Sequence, residues 1–354
     1  MTQTKTRLLL TGSAGYLGGS VLTALLRSND TSVQRLEISA LIESSWCLEH
    51  WTKHGVKPIP FAGPEDVELL AYTASQHDVV IHCAGAWDPD AVEALVLGLG
   101  IRRTLTGSPV YMIHTSTIAN LHDATSAQLD SEPRWFDDKL DNLLEHMWRR
   151  QNCEIYRPRT TDLLLAQRSQ EAGIRTYTIM APLIYGLGTG PFDKRGAVHI
   201  RTLSVAAIRA RQAVYLHSAG TGTVDYVHVQ DLADLYELLL RRALTGDREV
   251  LRETRGILFA SAGRSSWPQL AAGVARVGVL LGWLETPEPR AIAVEEALAL
   301  GMAATRQELE LEFAGSCRGR ASLAQALGWK PRKTERDWEL NFADDFVQAI
   351  LNMQ

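Results

Sequence analysis

Arg7-Leu8-Leu9-Leu10-Thr11-Gly12-Ser13-Ala14-Gly15-Tyr16-Leu17-Gly18-Gly19 is the stretch whose reading decides the fold. An apolar run enters a glycine-punctuated turn and continues into a helical pattern over Tyr16–Arg27, the opening of a mononucleotide-binding βαβ unit. The spacing has a physical reading. Gly12 permits the sharp exit from the strand, and Gly15 lets backbone N–H groups approach a pyrophosphate at the positive end of the helix. Gly18 lets that helix pack closely on the strand. A glycine triplet alone is weak evidence; its place between a strand and a helix makes it specific.

Outward from this turn, strand-like and helix-like segments alternate, which implies a parallel sheet with helices on both faces. Strands are expected near 6–11, 37–42, 57–61, 79–83, 110–115 and 175–181. Helices are expected at Glu65–Ser75, Asp90–Leu105 and 157–172. Gly12, Ala84 and Ser116 then fall at the carboxyl ends of strands, where ligands bind in such sheets. After Pro182 the pattern changes to a Gly- and Thr-rich stretch over 186–224 with one helical segment, Val198–Arg211. Residues 261–330 hold short helical patterns separated by Gly and Pro, and Trp338, Phe342, Phe346 and Ile350 mark a packed terminal helix.

At 354 residues the chain can bury a large core. A net charge of −5 offers no general attraction to nucleic acid or anionic membrane. Mean hydropathy is −0.09, and the apolar stretch 270–284 is broken by Gly273, Arg276, Gly278 and Gly282, so no membrane span is expected. Lys5 and Arg7 lead into a strand and not into a signal-peptide core, which reads as a cytoplasmic protein. Cys47, Cys83, Cys153 and Cys317 lie far apart with no C-x-x-C pair, so reduced thiols are expected. No His, Cys and carboxylate cluster has metal spacing, and no G-x-S-x-G elbow is present.

Thr11 followed by Gly12-x-x-Gly15-x-x-Gly18 resembles the glycine motif of short-chain dehydrogenases/reductases, and the chain is similar to their extended branch. Later segments agree in order: Asp78–Gly85 with the fourth strand and its cofactor-facing turn, and Tyr111–Thr117 with the fifth strand and its hydroxyls. Ala181–Gly186 and Asp225–Ala233 resemble two further segments of the same branch, and Ile184–Gly190 is similar to fungal-type NAD(P)-binding epimerase/dehydratase-like proteins. The resemblance covers roughly residues 5–245. It implies an α/β fold, a Rossmann-type doubly wound parallel sheet with a smaller C-terminal substrate-binding domain. The dinucleotide-binding domain is expected at 1–182 and 225–260, the substrate-binding domain at 183–224 and 261–330, and the terminal helix at 331–354. The exposed helices of the family pair into dimers, so a homodimer is the assembly it implies.

The resemblance further implies a cofactor site of Thr11, Gly12, Ala14, Gly15, Tyr16, Leu17, Gly18, Glu43, Cys83, Ala84, Gly85 and Pro182. Glu43, at the end of the second strand, would accept from ribose hydroxyls and repel a 2′-phosphate, which favours NAD over NADP. Tyr185 and Trp87 are the candidate substrate contacts, and Asp193, Lys194 and His199 fall in the substrate loop. His82 and His114 sit on buried strands and read as core or supporting histidines, and Asp231 reads as the cap of the helix after His228.

Family chemistry needs a Ser or Thr hydroxyl, a tyrosine that exchanges the proton, and a lysine four residues later that lowers the tyrosine pKa. Ser116 or Thr117 supplies the hydroxyl and Tyr156 the phenol, but position 160 is threonine. Arg157 and Arg159 differ in reach from an i+4 lysine, and of seven lysines only Lys139 and Lys194 fall near the site. An alternative alignment takes Arg159-x-x-Asp162 as the landmark of this helix, with Tyr156 merely preceding it. Three readings follow. The first is an NAD(P)-dependent oxidoreductase on a small or medium organic carbonyl or alcohol. The second is a non-redox isomerase, cyclase, aldolase or dehydratase on the same scaffold, and the third a dinucleotide-sensing regulator. The polar and aromatic segment Ser131–Asp138, with a helical run to Arg150, reads equally as a lid or substrate wall and as a surface insertion.

Overall fold

The computed structural model describes residues 5–43, 48–122, 134–191, 198–217, 222–246 and 256–353. Seven parallel strands form its central sheet: β1 (Arg7–Thr11), β2 (Glu37–Ile42), β3 (Lys57–Pro60), β4 (Val79–His82), β5 (Tyr111–Thr117), β6 (Arg175–Ala181) and β7 (Ile257–Phe259). They pair in the order β7-β6-β5-β4-β1-β2-β3. The apolar runs of the central strands are continuous because each strand feeds two cores. Leu8 and Leu10 enter one hydrophobic cluster and Leu9 the other; Val79 and Ile81 oppose Val80, and Tyr111 and Ile113 oppose Met112. Side chains alternate across a strand, and both faces here are covered by helices, so no polar face is left.

Helices Tyr16–Leu26 and Val229–Leu244 cover the first face, with Val21, Leu22, Leu235 and Leu239 in its core. Val67–Ser75, Pro89–Thr106 and Arg157–Ala172 cover the second through Leu70, Leu95, Leu99 and Leu165. Helix boundaries follow capping chemistry. Asp66 accepts from the Leu69 N–H, so the first of these three helices starts at Val67, two residues later than the sequence pattern suggests. The six strands expected from the sequence are all present, and β7 adds a seventh. Three residues carry no periodicity to read; β7 exists because it pairs with Thr178–Met180 of β6.

A second hydrophobic core lies in the C-terminal part of the chain. Strand Thr223–His228 pairs parallel to Leu183–Tyr185 and antiparallel to Gly263–Ser266. Helices Val198–Ala210, Trp267–Leu280 and Glu335–Leu351 close over it. The terminal helix contributes Trp338, Phe342 and Phe346, and the Trp338 ring stacks on Tyr226 at 4.1 Å. No described helix is long and apolar enough to cross a membrane.

One cap differs from expectation. His228, not Asp231, caps helix Val229–Leu244: its Nδ1 accepts from the Gln230 N–H at 3.1 Å. Asp231 lies inside the first turn, and its carboxylate accepts from the backbone of Arg332 and Lys333, both at 3.0 Å. The aspartate is therefore a long-range tie.

Residues 131–133 lie outside the described residues; beyond them Trp135–Asp137 pairs parallel to Arg318–Arg320, and helix Leu143–Cys153 follows. Next to this pair the buried Asp138 carboxylate accepts from the Phe259 N–H (2.9 Å) and the Leu323 N–H (2.8 Å). Burial pushes its carboxyl up to about 7, against the pull of those two hydrogen bonds. A carboxyl with a higher pKa folded than unfolded stabilises the fold fully below its unfolded pKa of about 4 and loses that contribution as pH rises toward 7. The loss is at most roughly 1.4 kcal/mol per pH unit. Urea unfolding at pH 4.5 and 7.5 should show wild type losing stability relative to Asp138→Asn across this window; parallel curves would remove Asp138 as the cause.

Candidate active site

The glycine turn is built as tightly as its sequence demands. Gly12 has φ +67°, and a Cβ there would lie 2.7 Å from the Cys83 carbonyl carbon. A Cβ on Gly18 would lie 2.1 Å from the Gly12 carbonyl oxygen. The turn closes through the Gly15 N–H to Gly12 carbonyl bond at 2.9 Å. Gly15 then starts helix Tyr16–Leu26 with no side-chain cap and no acidic residue in the first turn. Ser13 Oγ is buried in the turn without a hydrogen-bond partner. An uncapped helix N-terminus with no acidic residue in its first turn, beside the unpartnered Ser13 hydroxyl, fits a dinucleotide pyrophosphate.

Around the turn, Ala14 and Ala84 are exposed, and Glu43 is exposed at the end of β2. Cys83 is a free cysteine, and burial pushes its thiol up to about 12, so it is no thiolate nucleophile at neutral pH. Thr11 Oγ1 bonds His82 Nδ1 at 2.8 Å.

A cavity of about 510 Å³ opens at the carboxyl ends of β1, β4, β5 and β6. From the sheet side it is lined by Tyr16, Leu17, Cys83, Gly85, Trp87, Ser116, Thr117 and Pro182, all residues that the sequence singled out. From the other side come His199 and Thr202 of helix Val198–Ala210, and Met302, Glu308, Glu312 and Phe313. The lining contains no lysine or arginine among the described residues. Asp193 and Lys194 lie outside the described residues, and Lys139 and the described part of the segment 134–150 do not line the cavity.

Of the catalytic and substrate-contact candidates, Tyr185 and Tyr156 are not on the cavity wall; nor, among the cofactor candidates, are Thr11, Gly12, Ala14, Gly15, Gly18, Glu43 and Ala84. Tyr185 is buried among Tyr226, His228 and Trp338, at 4.9–5.6 Å between ring centroids, because strand Leu183–Tyr185 turns it into the second core. Tyr156 precedes helix Arg157–Ala172 as its N-cap and is fully buried, with Trp87 edge-on at 5.5 Å. Its hydroxyl donates to Glu312 Oε1, and His199 Nε2 lies 3.3 Å from Glu312 Oε2. Thr160, where the family lysine would stand, accepts from Gln151 Nε2 at 2.6 Å. The Arg159 guanidinium sits 5.6 Å from the Tyr156 ring centre. Burial first, and then the Glu312 carboxylate, nevertheless push the phenol well above its ordinary range. Burial would raise Glu312 too, but the hydrogen bonds from His199 and Tyr156, with the charges of His199 and His122, hold it below the usual carboxylate range. The sequence offers no signal for Glu312, one glutamate among several on the helix Arg306–Phe313 and 156 residues from Tyr156.

Ser116 sits at the opposite wall. Its Oγ donates to Asp162 Oδ2 at 2.5 Å and accepts from Asn120 Nδ2 at 3.1 Å. Asn120 also donates to Asp162 at 2.8 Å, and His114 Nε2 lies 3.3 Å from Asp162 Oδ1. The alternative landmark of this helix, Arg159-x-x-Asp162, is thus the part of it that engages the serine. His82 stacks on His114 at 5.2 Å, and burial, followed by the His114 charge, pushes His82 well below its ordinary pKa. Thr117 Oγ1 caps the turn Ile118–Leu121 by accepting from the Ala119 N–H. Among the described residues, no group of three or more His, Cys, Asp or Glu side chains could hold a metal ion.

Residues 155–251 match the model of the NAD dependent epimerase/dehydratase family. A protein from Acremonium sp, Oxidase ucsJ, is 26% identical over 349 residues and covers 92% of either chain. The fold is shared with UDP-glucose 4-epimerase from Thermotoga maritima, solved with UDP-glucose (TM-score 0.62, 15% identity, 99% of this chain and 100% of that one). It is also shared with vestitone reductase from alfalfa (TM-score 0.59, 14% identity, 99% of both). The chain is thus similar to the NAD dependent epimerase/dehydratase family over residues 155–251, and it shares the fold of solved epimerases and reductases over nearly its whole length.

Proposed function

We propose that the enzyme is an NAD(P)-dependent oxidoreductase that interconverts an alcohol and a carbonyl on an apolar, phosphate-free organic substrate. One observation carries this reading. The cavity beside the glycine turn joins the Ser116 and Thr117 hydroxyls to the apolar surfaces of Trp87, Met302 and Phe313, with no lysine or arginine among its described lining residues. A nucleotide sugar brings two phosphates, which proteins hold with arginine, lysine or helix N-termini. The lining fits a hydroxyl or carbonyl on a hydrocarbon framework far better. The oxidase and reductase names of the Acremonium and alfalfa proteins support the same chemistry.

The residues Thr11–Gly18, Glu43, Cys83–Gly85 and Pro182 would hold the dinucleotide, which supplies the hydride chemistry when bound. Glu43 favours NAD, because a carboxylate repels a 2′-phosphate. Ser116 orients the substrate oxygen, and its link to Asp162 fixes the hydroxyl direction. The residues 183–224 and 261–330 form the substrate side. A homodimer belongs to the same proposal: Leu97, Ile101 and Leu105 make an exposed stripe at four-residue spacing on helix Pro89–Thr106.

A second reading, a non-redox isomerase, cyclase, aldolase or dehydratase, is favoured by Thr160 in place of lysine and by the tie of Tyr156 to Glu312. Titration with NADH and NADPH, followed by an absorbance screen of apolar ketones and secondary alcohols, separates the two. Expected are saturable binding, tighter for NADH, a preference narrowed by Glu43→Ala, and substrate-dependent change at the nicotinamide band. Dinucleotide binding with a mass-neutral product and no absorbance change would move the assignment to the second reading.

A further inference from the structure

We propose that Glu312 is the catalytic acid/base of the cavity, with Tyr156 and His199 as positioning residues that hold its carboxylate. The proposal rests on the alcohol–carbonyl reading above. Glu312 lines the cavity, whereas Tyr156 is fully buried and does not. The Tyr156 hydroxyl donates to one carboxylate oxygen of Glu312, and His199 Nε2 is 3.3 Å from the other. A phenol that donates to an anion is held protonated, the reverse of what an adjacent lysine does. Tyr156 therefore serves as a donor and not as the base.

Glu312 keeps the capacity that Tyr156 lacks. Each carboxylate oxygen accepts about two hydrogen bonds, and Tyr156 and His199 occupy one each, so acceptor sites remain for a substrate hydroxyl. The other cavity carboxylate is already committed. Glu308 Oε2 accepts from the Ala304 N–H at 3.1 Å and the Thr305 N–H at 3.2 Å as part of a capping box. Charged or titratable groups facing Glu312 and its partners are His199 from helix Val198–Ala210, His122 from the turn after β5, and Arg159 and Tyr156 at the start of helix Arg157–Ala172. Glu308, one turn back on its own helix, joins them among the described residues.

In the oxidation direction the substrate O–H bond breaks and its proton goes to the Glu312 carboxylate. The C–H bonding pair leaves as hydride to the oxidised dinucleotide as the C=O bond forms. The products are a ketone, reduced dinucleotide and a protonated Glu312, which returns its proton to water. Reduction runs the same step backwards, with Glu312 as the acid.

The test uses the full chain with NAD bound and two probes that cannot be oxidised to a ketone, 2-methyl-4-phenylbutan-2-ol and its methyl ether, in which a methyl group replaces the hydroxyl proton. Calorimetric titration at pH 8 should show the alcohol bound roughly tenfold tighter by wild type, the scale of one hydrogen bond to a charged acceptor. Glu312→Gln should cut that preference to about threefold or less, as expected for a neutral hydrogen bond. As pH falls the wild-type preference should disappear when Glu312 takes up its proton. Tyr156→Phe should move that loss to higher pH, because it removes a donor that holds the carboxyl low; a merely structural tyrosine would leave the midpoint in place. An alcohol preference unchanged by Glu312→Gln, or independent of pH in wild type, overturns the proposal and leaves the alcohol–carbonyl reading standing. Failure of wild type to bind either probe overturns both. The wild-type pH profile decides the matter even if the Gln variant does not fold.

Discussion

Gly18→Ala is expected to abolish dinucleotide binding and to destabilise the fold by about 1–3 kcal/mol, the usual cost of forcing extra volume into a packed site. The new methyl would lie 2.1 Å from the Gly12 carbonyl oxygen and 2.6 Å from its carbon. Both are backbone atoms, so no side chain can swing away. Relief requires the helix Tyr16–Leu26 to lift off the turn, and that movement displaces the N–H groups at the pyrophosphate position. Gly15→Ala is the control. Its methyl would meet the same oxygen at 3.2 Å, a contact that a shift of a few tenths of an ångström relieves, so this variant should keep most of the stability. Urea unfolding and NADH titration on both variants check the prediction. A Gly18→Ala protein that binds NADH like wild type would contradict the close packing of strand, turn and helix.

Asp225→Ala is expected to cost about 3–5 kcal/mol, the range for removing one member of a buried ionic cluster. The carboxylate is fully buried on strand Thr223–His228. It accepts from Arg264 Nε at 2.6 Å, from the Gly319 N–H at 2.7 Å and from Ser261 Oγ at 2.9 Å. Two distant segments, 261–264 and 319, thus meet on one side chain of a third, and alanine takes an acceptor from all three donors. Burial raises the Asp225 carboxyl, opposed by the Arg264 hydrogen bond and charge. The ionised form is therefore expensive in itself, and Asp225→Asn, which keeps shape and one acceptor, should cost clearly less than alanine. Because Arg264 retains some solvent contact, Arg264→Ala should also be milder than Asp225→Ala. Denaturation midpoints for the three variants test this order, and an alanine variant within about 1 kcal/mol of wild type would show that the cluster adds little net stability.

Those two residues show how differently the chain discloses its design. Gly18 was legible because its role is local: the strand, the turn and the helix that need it lie within twenty residues, and backbone sterics leave few other solutions. The same holds for the apolar runs of β1, β4 and β5 and for helix Arg157–Ala172, whose ends are set by the proline near its start and by Gly173 at φ +67°. Asp225 stood inside a segment that resembles a family motif, yet nothing local says which donors it serves. Asp231 shows the same limit of local pattern. An aspartate near a helix start is most simply a cap, and only the return of Arg332 and Lys333 makes it a tie.

The cavity divides along the same line. On its sheet-side wall, Tyr16, Leu17, Cys83, Gly85, Ser116, Thr117 and Pro182 are legible because they follow strand ends that periodicity locates, whereas Ala86, Thr115, Ala181 and Ile184 are not singled out by the sequence as site residues. On the opposite wall the sequence singles out His199 as a possible substrate contact. Glu308, Glu312 and Phe313 come from the short helix Arg306–Phe313 and Met302 from the bend before it, and their placement depends on the packing of the second core. Tyr156 illustrates the consequence. Its type and position suit proton exchange, but the phenol stands behind Trp87 and Glu312, where an anion and not an ammonium meets it.

By itself, the sequence determined the parallel sheet, the glycine cradle and the hydroxyls at the strand ends, because each follows from backbone geometry and hydrophobic period over a few residues. Only the tertiary structure decided which charged groups face the cavity. Glu312, His199 and Tyr156 come from three distant segments, and their meeting is set by packing between cores, for which local pattern carries no code.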